Sequence, residues 1–143
     1  MDANTIELLT ECSSGCHMAM DSVKKMRQYA EDPELNHLLE NYGEKHRRLE
    51  GKIADLLEKY GERESAPDRM VAMMAGMEMH AKMFMHPDDK QVARIMMDGC
   101  NMGIQSVSGY LNRYSHASTE SRKLAEELIC IEEEFARTMR RFV

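Results

Sequence analysis

Two cysteines, one histidine and a pair of glutamates fall near the midpoints of four predicted helices, on or beside their apolar faces. They are Cys16, His46, Cys100, and either Glu132 or Glu133. Thiolate, imidazole and carboxylate groups that converge in a dry interior are suitable ligands for tetrahedral zinc, or for another thiolate-preferring metal. The spacing therefore predicts a metal site halfway along the helices. The alternative is that the cysteines are small buried apolar residues and that His46 is a hydrogen-bonded core histidine.

A second group of soft donors lies between the long helices. Met79, His80, Met83 and His86 are close in sequence, and thioethers together with histidine select copper(I). Methionine at helical spacing is more often flexible packing. Met79 and Met83 fall off the main apolar side of their helix, so they suggest a surface for a partner or for a second copy of the chain.

Four long helices must position these side chains. Apolar residues recur at mostly three- and four-residue spacing, and Asp32 followed by Pro33 is a strong helix start. Gly61 is a typical helix stop. The predicted helices cover residues 5–31, 33–60, 88–115 and 119–142.

A short methionine-rich helix is predicted at residues 66–86, between Pro67 in its first turn and Pro87 after its end. At about 1.5 Å per residue it reaches roughly 30 Å, the length of a long-helix bundle. We interpret it as a crossover that returns the chain to its starting end, which makes residues 33–60 and 88–115 parallel. The expected fold is an all-α, ferritin-like up-down four-helix bundle in a single domain, residues 1–143; a simple five-helix bundle is the competing architecture.

Three glycines interrupt the helix predicted at residues 88–115. Gly99, Gly103 and Gly109 each cost about 1 kcal/mol relative to alanine in a helix interior. Either another helix packs unusually close, or the missing side chains leave a cavity beside Cys100. Close packing is the more common explanation.

The composition narrows the classes of function. The chain of 143 residues is 43% hydrophobic and 31% charged, and its formal net charge of −6 disfavours nucleic-acid and anionic-membrane partners. The first residues, MDANTIELLTE, lack the features of a signal peptide, so we expect a cytoplasmic protein with reduced cysteines. We expect a homo-oligomer, and a protein partner is compatible with the methionine-rich segment.

The chain resembles a family through three segments: IELLTECSSGCHMAMDSV, DPELNHLLENYGEKHRRLEGKI and DDKQVARIMMDGCNMGIQSVSGYLNRY. Their order, with a short helix before the third, is similar to that of the uncharacterised bacterial ferritin-like bundles of the DUF2383 type. The resemblance implies a ferritin-like fold and raises the question of a di-iron site. That site requires Glu-x-x-His on two helices, whereas this chain has only Glu34 to His37, off the apolar seam.

The expected function follows from these points. The chain is predicted to be a non-enzymatic protein that binds a metal or a small ligand at the middle of the bundle. The alternative is a metal-free interaction or structural protein that self-associates through its methionine-rich crossover.

Overall fold

Four long α-helices form the part of the chain that the computed structural model describes, residues 2–61 and 86–143. They are α1 (Asp2–Met26), α2 (Pro33–Lys59), α3 (Asp89–Arg113) and α4 (Thr119–Met139), followed by a 3₁₀ turn at Arg140–Phe142. These two ranges contain no β-strand. The predicted all-α chain with four long helices is therefore confirmed.

The first helix begins and ends earlier than the predicted range of 5–31. It starts at Asp2, so Asn4 lies inside the helix and not at its cap. Beyond Met26 the backbone tightens into a turn, in which the N–H of Tyr29 donates to the carbonyl of Met26 at 3.0 Å. The chain then extends into Asp32, whose backbone at φ −67° and ψ 120° is non-helical, as an N-cap requires.

The two ends of α2 follow the predicted signals, and α3 begins at a well-formed cap. The Asp32 carboxylate accepts from the N–H of Glu34 at 2.8 Å, and Pro33 occupies the first turn. Gly61 follows α2 at φ +76°, a left-handed conformation that glycine adopts without steric cost. Asp88 and Gln91 form a complete capping box at the start of α3.

Two contacts between turns fix the directions of the helices. The Asp89 carboxylate, at the start of α3, accepts from the backbone N–H of Glu31 at 2.7 Å and of Asp32 at 3.1 Å. After α3, the N–H of Ser118 donates to Oγ1 of Thr5, near the start of α1, at 2.8 Å. Helices α2 and α3 therefore run in the same direction, and Gly61 lies at the opposite end of the fold from Asp89.

The core divides into two apolar halves that share all four helices. One half surrounds the α1–α2 turn and includes Leu35, Leu39, Ala93 and Met139. The other lies toward the α3–α4 turn and includes Leu8, Leu9, Ile53, Leu57 and Leu128. Burial of these side chains supplies the main stabilisation of the fold.

The predicted crossover helix, residues 66–86, lies outside the described residues except for His86. The soft-donor group at Met79, His80 and Met83 lies outside them as well. Within the two described ranges, no helix has the length and apolar character needed to cross a membrane.

Candidate functional site

The predicted site residues differ in their exposure to solvent. Cys16, His46 and Cys100 are fully buried, and Glu132 is 5% exposed. Glu133 is exposed to solvent. The helical period explains the difference: Glu132 is four residues from buried Leu128 and three from buried Phe135, whereas Glu133 is turned away from that face.

A short hydrogen bond joins α2 to α4 at the boundary between the two core halves. Nε2 of His46 lies 2.5 Å from Oε1 of Glu132, while Nδ1 of His46 lies 2.8 Å from the backbone carbonyl of Tyr42. A carbonyl oxygen can only accept, so Nδ1 carries a proton. One further proton therefore lies between His46 and Glu132, and the buried pair with this proton has no net charge.

Tyr42 completes the network on the other oxygen of Glu132. Its hydroxyl donates to Oε2 at 2.6 Å and lies 3.6 Å from Sγ of Cys100. Its ring stacks on Phe135 with centroids 3.9 Å apart and meets the ring of His46 edge-on at 4.3 Å. We refer to Tyr42, His46, Cys100 and Glu132 as the polar layer.

Tyr42 was not among the site residues predicted from the sequence. Tyr42 and His46 are four residues apart on one helix face, so their side chains necessarily lie on the same side of α2. That spacing is the signal that was available in the sequence.

Burial alters the acid–base behaviour of three groups in the core. Burial, and then the neighbouring Glu132 carboxylate, raise the pKa of Tyr42 and of Cys100 well above their ordinary values. Burial and the nearby Glu11 raise the pKa of Cys12 to about 12. At neutral pH all three groups are therefore protonated.

These raised pKa values predict loss of stability at alkaline pH. A folded-state pKa above the unfolded one contributes stability that is complete below the unfolded value and is lost as the pH rises toward the folded value. Above pH 9.0 for Cys12 and Cys100, and above pH 10.0 for Tyr42, the free energy of unfolding should fall by about 1.4 kcal/mol per pH unit for each group. Urea unfolding between pH 7 and 11 measures this slope.

The matched variant for that titration is Tyr42→Phe, which keeps the ring but has no ionisable hydroxyl. Its slope above pH 10.0 should be shallower than that of the wild type, and its slope below that pH should be unchanged. A flat stability profile up to pH 11 in the wild type would contradict the assignment of these groups as buried and protonated.

A cavity of about 80 Å³ lies between α1 and α3, and its inner end reaches the polar layer. Its walls are mostly apolar or glycine. The described residues that line it are Glu11, Gly15, Met18, Ala19, Ser22, Tyr42, Met96, Gly99, Met102, Gly103, Ser106, Val107, Tyr110, Leu128 and Glu132.

Glycines in α3 make room for this cavity. A Cβ added at Gly99 would meet no described atom within 4 Å, and one added at Gly103 would lie 3.5 Å from Oε2 of Glu132. A cavity was the second of the two explanations predicted for these glycines, but Cys100, beside which it was expected, is not among the described lining residues. The absence of a side chain at Gly103 leaves Oε2 of Glu132 facing the cavity.

A second polar cluster, which the sequence prediction did not identify, joins α1 to α2. The buried hydroxyl of Ser13 donates to Oε2 of Glu50 at 2.9 Å, and Nε2 of His17 lies 3.7 Å from Oε1 of Glu50. Glu50 is a buried carboxylate on a helix face that otherwise carries Leu49 and Ile53. The cluster is a polar contact between α1 and α2.

In the structure, the side chains of the polar layer that could bind a metal are hydrogen-bonded to one another or to Tyr42. Two ligands at about 2.0–2.1 Å from a tetrahedral metal are about 3.3 Å apart, which exceeds the 2.5 Å between His46 and Glu132. Among residues 2–61 and 86–143, no set of three or more His, Cys, Asp or Glu side chains is arranged to hold a metal. A metal ligated by His46 and Glu132 would have to replace their shared proton and move the carboxylate.

Comparison with known proteins defines the class of fold. The part of the chain that the structure describes, residues 2–61 and 86–143, is an all-α four-helix fold. The chain matches no family model and no curated protein. It is similar to a solved structure described as the crystal structure of a DUF305 fragment from Deinococcus radiodurans, with a TM-score of 0.74 and 18% sequence identity. The match covers 96% of this chain and 93% of that chain. At this identity the likeness concerns the fold alone.

This match overturns the resemblance to the DUF2383-type ferritin-like bundles, because DUF305 is a different family. The resemblance was wrong for a physical reason. It relied on helix lengths, an Asp-Pro turn and scattered glycines, which are general requirements of long antiparallel helices and do not distinguish one family from another.

Proposed function

We propose that this protein binds a small ligand in the cavity between α1 and α3, with the polar layer at its inner end. The observation that carries the proposal is the position of Glu132, a nearly buried carboxylate whose Oε2 faces an otherwise mostly apolar space. Apolar walls with a few placed polar groups are typical of small-molecule sites.

The glycines support a ligand site for an energetic reason. Gly99 and Gly103 each cost about 1 kcal/mol relative to alanine in a helix interior. At Gly99 no described atom lies close enough to require the small residue, and at Gly103 a Cβ would make only ordinary contact. Space for a ligand would explain why glycine occurs at both positions, whereas packing among the described residues does not explain it.

A methyl NMR experiment tests this function. The protein is labelled with ¹³C-methyl methionine, and a panel of neutral, cationic and anionic compounds of four to eight heavy atoms is added. A five-atom ligand gains at most about 7.5 kcal/mol, which limits its Kd to about 3 μM or weaker, so each compound is added up to millimolar concentration. We expect at least one class to shift Met18, Met96 and Met102, which line the cavity. If no compound shifts these methyls, the proposal fails.

Gly103→Ala separates stability from binding in the same assay. The added methyl group makes an ordinary contact with Glu132 and improves helix propensity, so we expect a gain of about 0.5–1 kcal/mol in the free energy of unfolding. The methyl also covers Oε2, so ligand affinity should fall. Gly109→Ala is the matched control, because it lies on the same helix, its Cβ would meet no described atom within 4 Å, and it is not among the described residues that line the cavity. Equal ligand affinity in both variants would contradict the site.

A second candidate function is a thiolate metal site formed by Cys16, His46, Cys100 and Glu132. It is favoured by the position of Glu132, which is bonded to His46 at Oε1 and to the hydroxyl of Tyr42 at Oε2, while that hydroxyl lies 3.6 Å from Sγ of Cys100. Because burial raises the pKa of Cys100, a metal that binds its thiolate must release a proton, and affinity should rise steeply with pH. Zinc is the expected metal.

Metal analysis of protein purified without an affinity tag tests this candidate. The wild type should contain metal near one equivalent, and a Cys16→Ala, Cys100→Ala double variant should contain much less. Equal and negligible metal contents in the two proteins would reject the metal site and leave the small-ligand proposal standing.

We also propose a ferritin-like chain connection, a cytoplasmic location and self-association. The parallel directions of α2 and α3, with Gly61 and Asp89 at opposite ends, support a ferritin-like lengthwise crossover. The chain is proposed to be cytoplasmic and to self-associate through its methionine-rich segment. Sedimentation of the wild type against a Met79→Glu, Met83→Glu variant tests the self-association; strictly monomeric behaviour in both would exclude it.

A further inference from the structure

We infer that the ligand of the α1–α3 cavity is a small uncharged organic molecule with an apolar body and one hydrogen-bond donor, such as a hydroxyl group, directed at Glu132. The inference rests on the proposed ligand-binding function and names the class of ligand. It follows from the charge balance of the polar layer, the hydrogen bonds already made along the cavity, and the nature and size of the walls.

The polar layer at the inner end of the cavity is already balanced in charge. Glu132 shares a proton with fully buried His46, 2.5 Å away, and this pair has no net charge. Burying a charged group costs free energy unless an opposite charge compensates it. A ligand cation would lose its hydration at a carboxylate that His46 already compensates, and a ligand anion would face that carboxylate directly. An uncharged ligand avoids both costs.

The other lining residues do not supply a charge that selects an ion. Glu11 is half-buried, so water partly screens its charge, and it has an interaction of its own. The described lining residues include no lysine, arginine or histidine. An anion would therefore find no cationic side chain among them, and the uncharged class is favoured along the whole described lining.

The hydrogen bonds of Glu132 limit the polar groups that the ligand can use. Its carboxylate is hydrogen-bonded to His46, to the Tyr42 hydroxyl and to Cys100. A carboxylate has about four acceptor positions, so about one is left for the ligand. A Cβ added at Gly103 would lie 3.5 Å from Oε2, so the space above this glycine gives access to the carboxylate. The remaining position accepts, and the ligand must therefore bring one donor.

Other polar groups along the cavity also have partners within the protein. The Ser22 hydroxyl donates to the backbone carbonyl of Met18 at 2.8 Å, and Tyr110 has an interaction of its own. A ligand with several polar groups would leave some of them buried without a hydrogen bond, which costs free energy for each group. The rest of the ligand is therefore apolar.

The walls suit a short apolar body. Flexible, polarizable surface comes from Met18, Met96 and Met102, and further apolar surface from Val107 and Leu128. Benzene is held by an engineered cavity of about 150 Å³, so the 80 Å³ available here indicates a smaller molecule. Met102 is 58% exposed at the edge of the cavity, where a ligand can enter.

Four probes with the same number of heavy atoms test this inference. n-Butanol, its isomer methyl propyl ether, n-butylamine and propionate are titrated at pH 7 into protein labelled with ¹³C-methyl methionine. We expect n-butanol to shift Met18, Met96 and Met102, the two charged probes to bind at least tenfold more weakly, and the ether, which has no donor, to bind severalfold more weakly.

The probes separate the parts of the inference. Equal or tighter binding of n-butylamine or propionate, relative to n-butanol, would overturn the uncharged class. Equal or tighter binding of the ether would overturn the donor directed at Glu132. Either result would leave the cavity as a ligand site.

A variant at His46 assigns the charge preference to the polar layer. His46→Gln can still donate to Oε1 of Glu132 but cannot hold a positive charge, so the carboxylate is no longer compensated. The ratio of n-butylamine to n-butanol affinity should rise at least tenfold. His17→Gln is the matched control, because His17 lies beside Glu50 and is not among the described lining residues; its ratio should match the wild type. An unchanged ratio in His46→Gln would contradict the inference.

A variant at Tyr42 tests the donor. Tyr42→Phe keeps the ring but removes the hydroxyl that donates to Oε2 of Glu132 at 2.6 Å, so a further acceptor position becomes available to the ligand. The preference for n-butanol over methyl propyl ether should increase severalfold. An unchanged or smaller preference would show that the ligand does not donate to Glu132.

The remaining outcomes are also decisive. If His46→Gln does not fold, the wild-type affinities for n-butanol, n-butylamine and propionate decide the charge class, and Tyr42→Phe decides the donor. If the wider panel contains a ligand but n-butanol does not bind, the inference is wrong. If neither these probes nor the panel bind, the proposed function itself is wrong.

Discussion

Replacing His46 by leucine should lower the free energy of unfolding by about 3–5 kcal/mol, the cost typical of removing one partner from a buried ion pair. His46 is fully buried, and its removal leaves Oε1 of Glu132 without its hydrogen bond. The backbone carbonyl of Tyr42 also loses the Nδ1 donor at 2.8 Å. Urea unfolding at pH 7 measures the difference.

A triple variant separates this penalty from a general intolerance of the site to change. Tyr42→Phe, His46→Leu and Glu132→Met together replace the bonded groups by apolar side chains of similar volume. Buried polar networks replaced in this way are often neutral or more stable, so the triple variant should recover to within about 1 kcal/mol of the wild type. A triple variant as unstable as His46→Leu would contradict the interpretation.

The matched control joins the same two helices at the surface. Nζ of Lys45 lies 3.2 Å from Oε1 of Glu134, and the two side chains are 48% and 64% exposed. Because exposed ion pairs contribute only about 0–1 kcal/mol, Lys45→Ala should have a small effect. The contrast between Lys45 and His46 then measures what burial adds to an α2–α4 contact.

Thiol reactivity should divide the cysteines into two classes. Cys130 is exposed, whereas Cys12, Cys16 and Cys100 are buried. Only the thiolate reacts with alkylating reagents, so the rise in the pKa of Cys12 from 9.0 to about 12 lowers its reactive fraction about a thousandfold at pH 8. Iodoacetamide labelling followed by mass spectrometry should therefore show rapid addition of one group to the folded protein.

The remaining three thiols should be labelled only when urea unfolds the chain. In a Cys130→Ser variant the rapid addition should disappear, which assigns it to the exposed site. Rapid labelling of two or more thiols in the native protein would show that the core is open, and it would also remove the basis for a buried thiolate metal site.

The sequence predicted the interior positions of Cys16, His46 and Cys100 because a long amphipathic helix places residues three and four apart on one face. It could not decide between Glu132 and Glu133, since adjacent residues on a helix differ by about 100° and both lie near the predicted seam. The structure places Glu132 inside through its alignment with Leu128 and Phe135.

The cavity and the hydrogen-bond network depend on distances between helices, which periodicity does not contain. From the sequence, close packing was the favoured explanation for Gly99 and Gly103 and a cavity was the alternative; a Cβ at Gly99 would meet no described atom within 4 Å. The hydrogen bond between Tyr42 and Glu132 depends on the relative orientation of α2 and α4. The hydrogen bond between Ser13 and Glu50 depends on the relative orientation of α1 and α2. The family resemblance failed for a related reason, because its shared features describe helices and not the contacts between them.

The most direct test of a ligand site at Glu132 is a crystal structure of the protein soaked with the panel compound that shifts the cavity methionines most strongly. The account predicts density for that compound between α1 and α3, with a polar atom within about 2.7–3.2 Å of a carboxylate oxygen of Glu132 and its carbon atoms against Met96 and Met102. A cavity filled by the protein's own side chains, or a compound bound elsewhere with Glu132 untouched, would contradict the account.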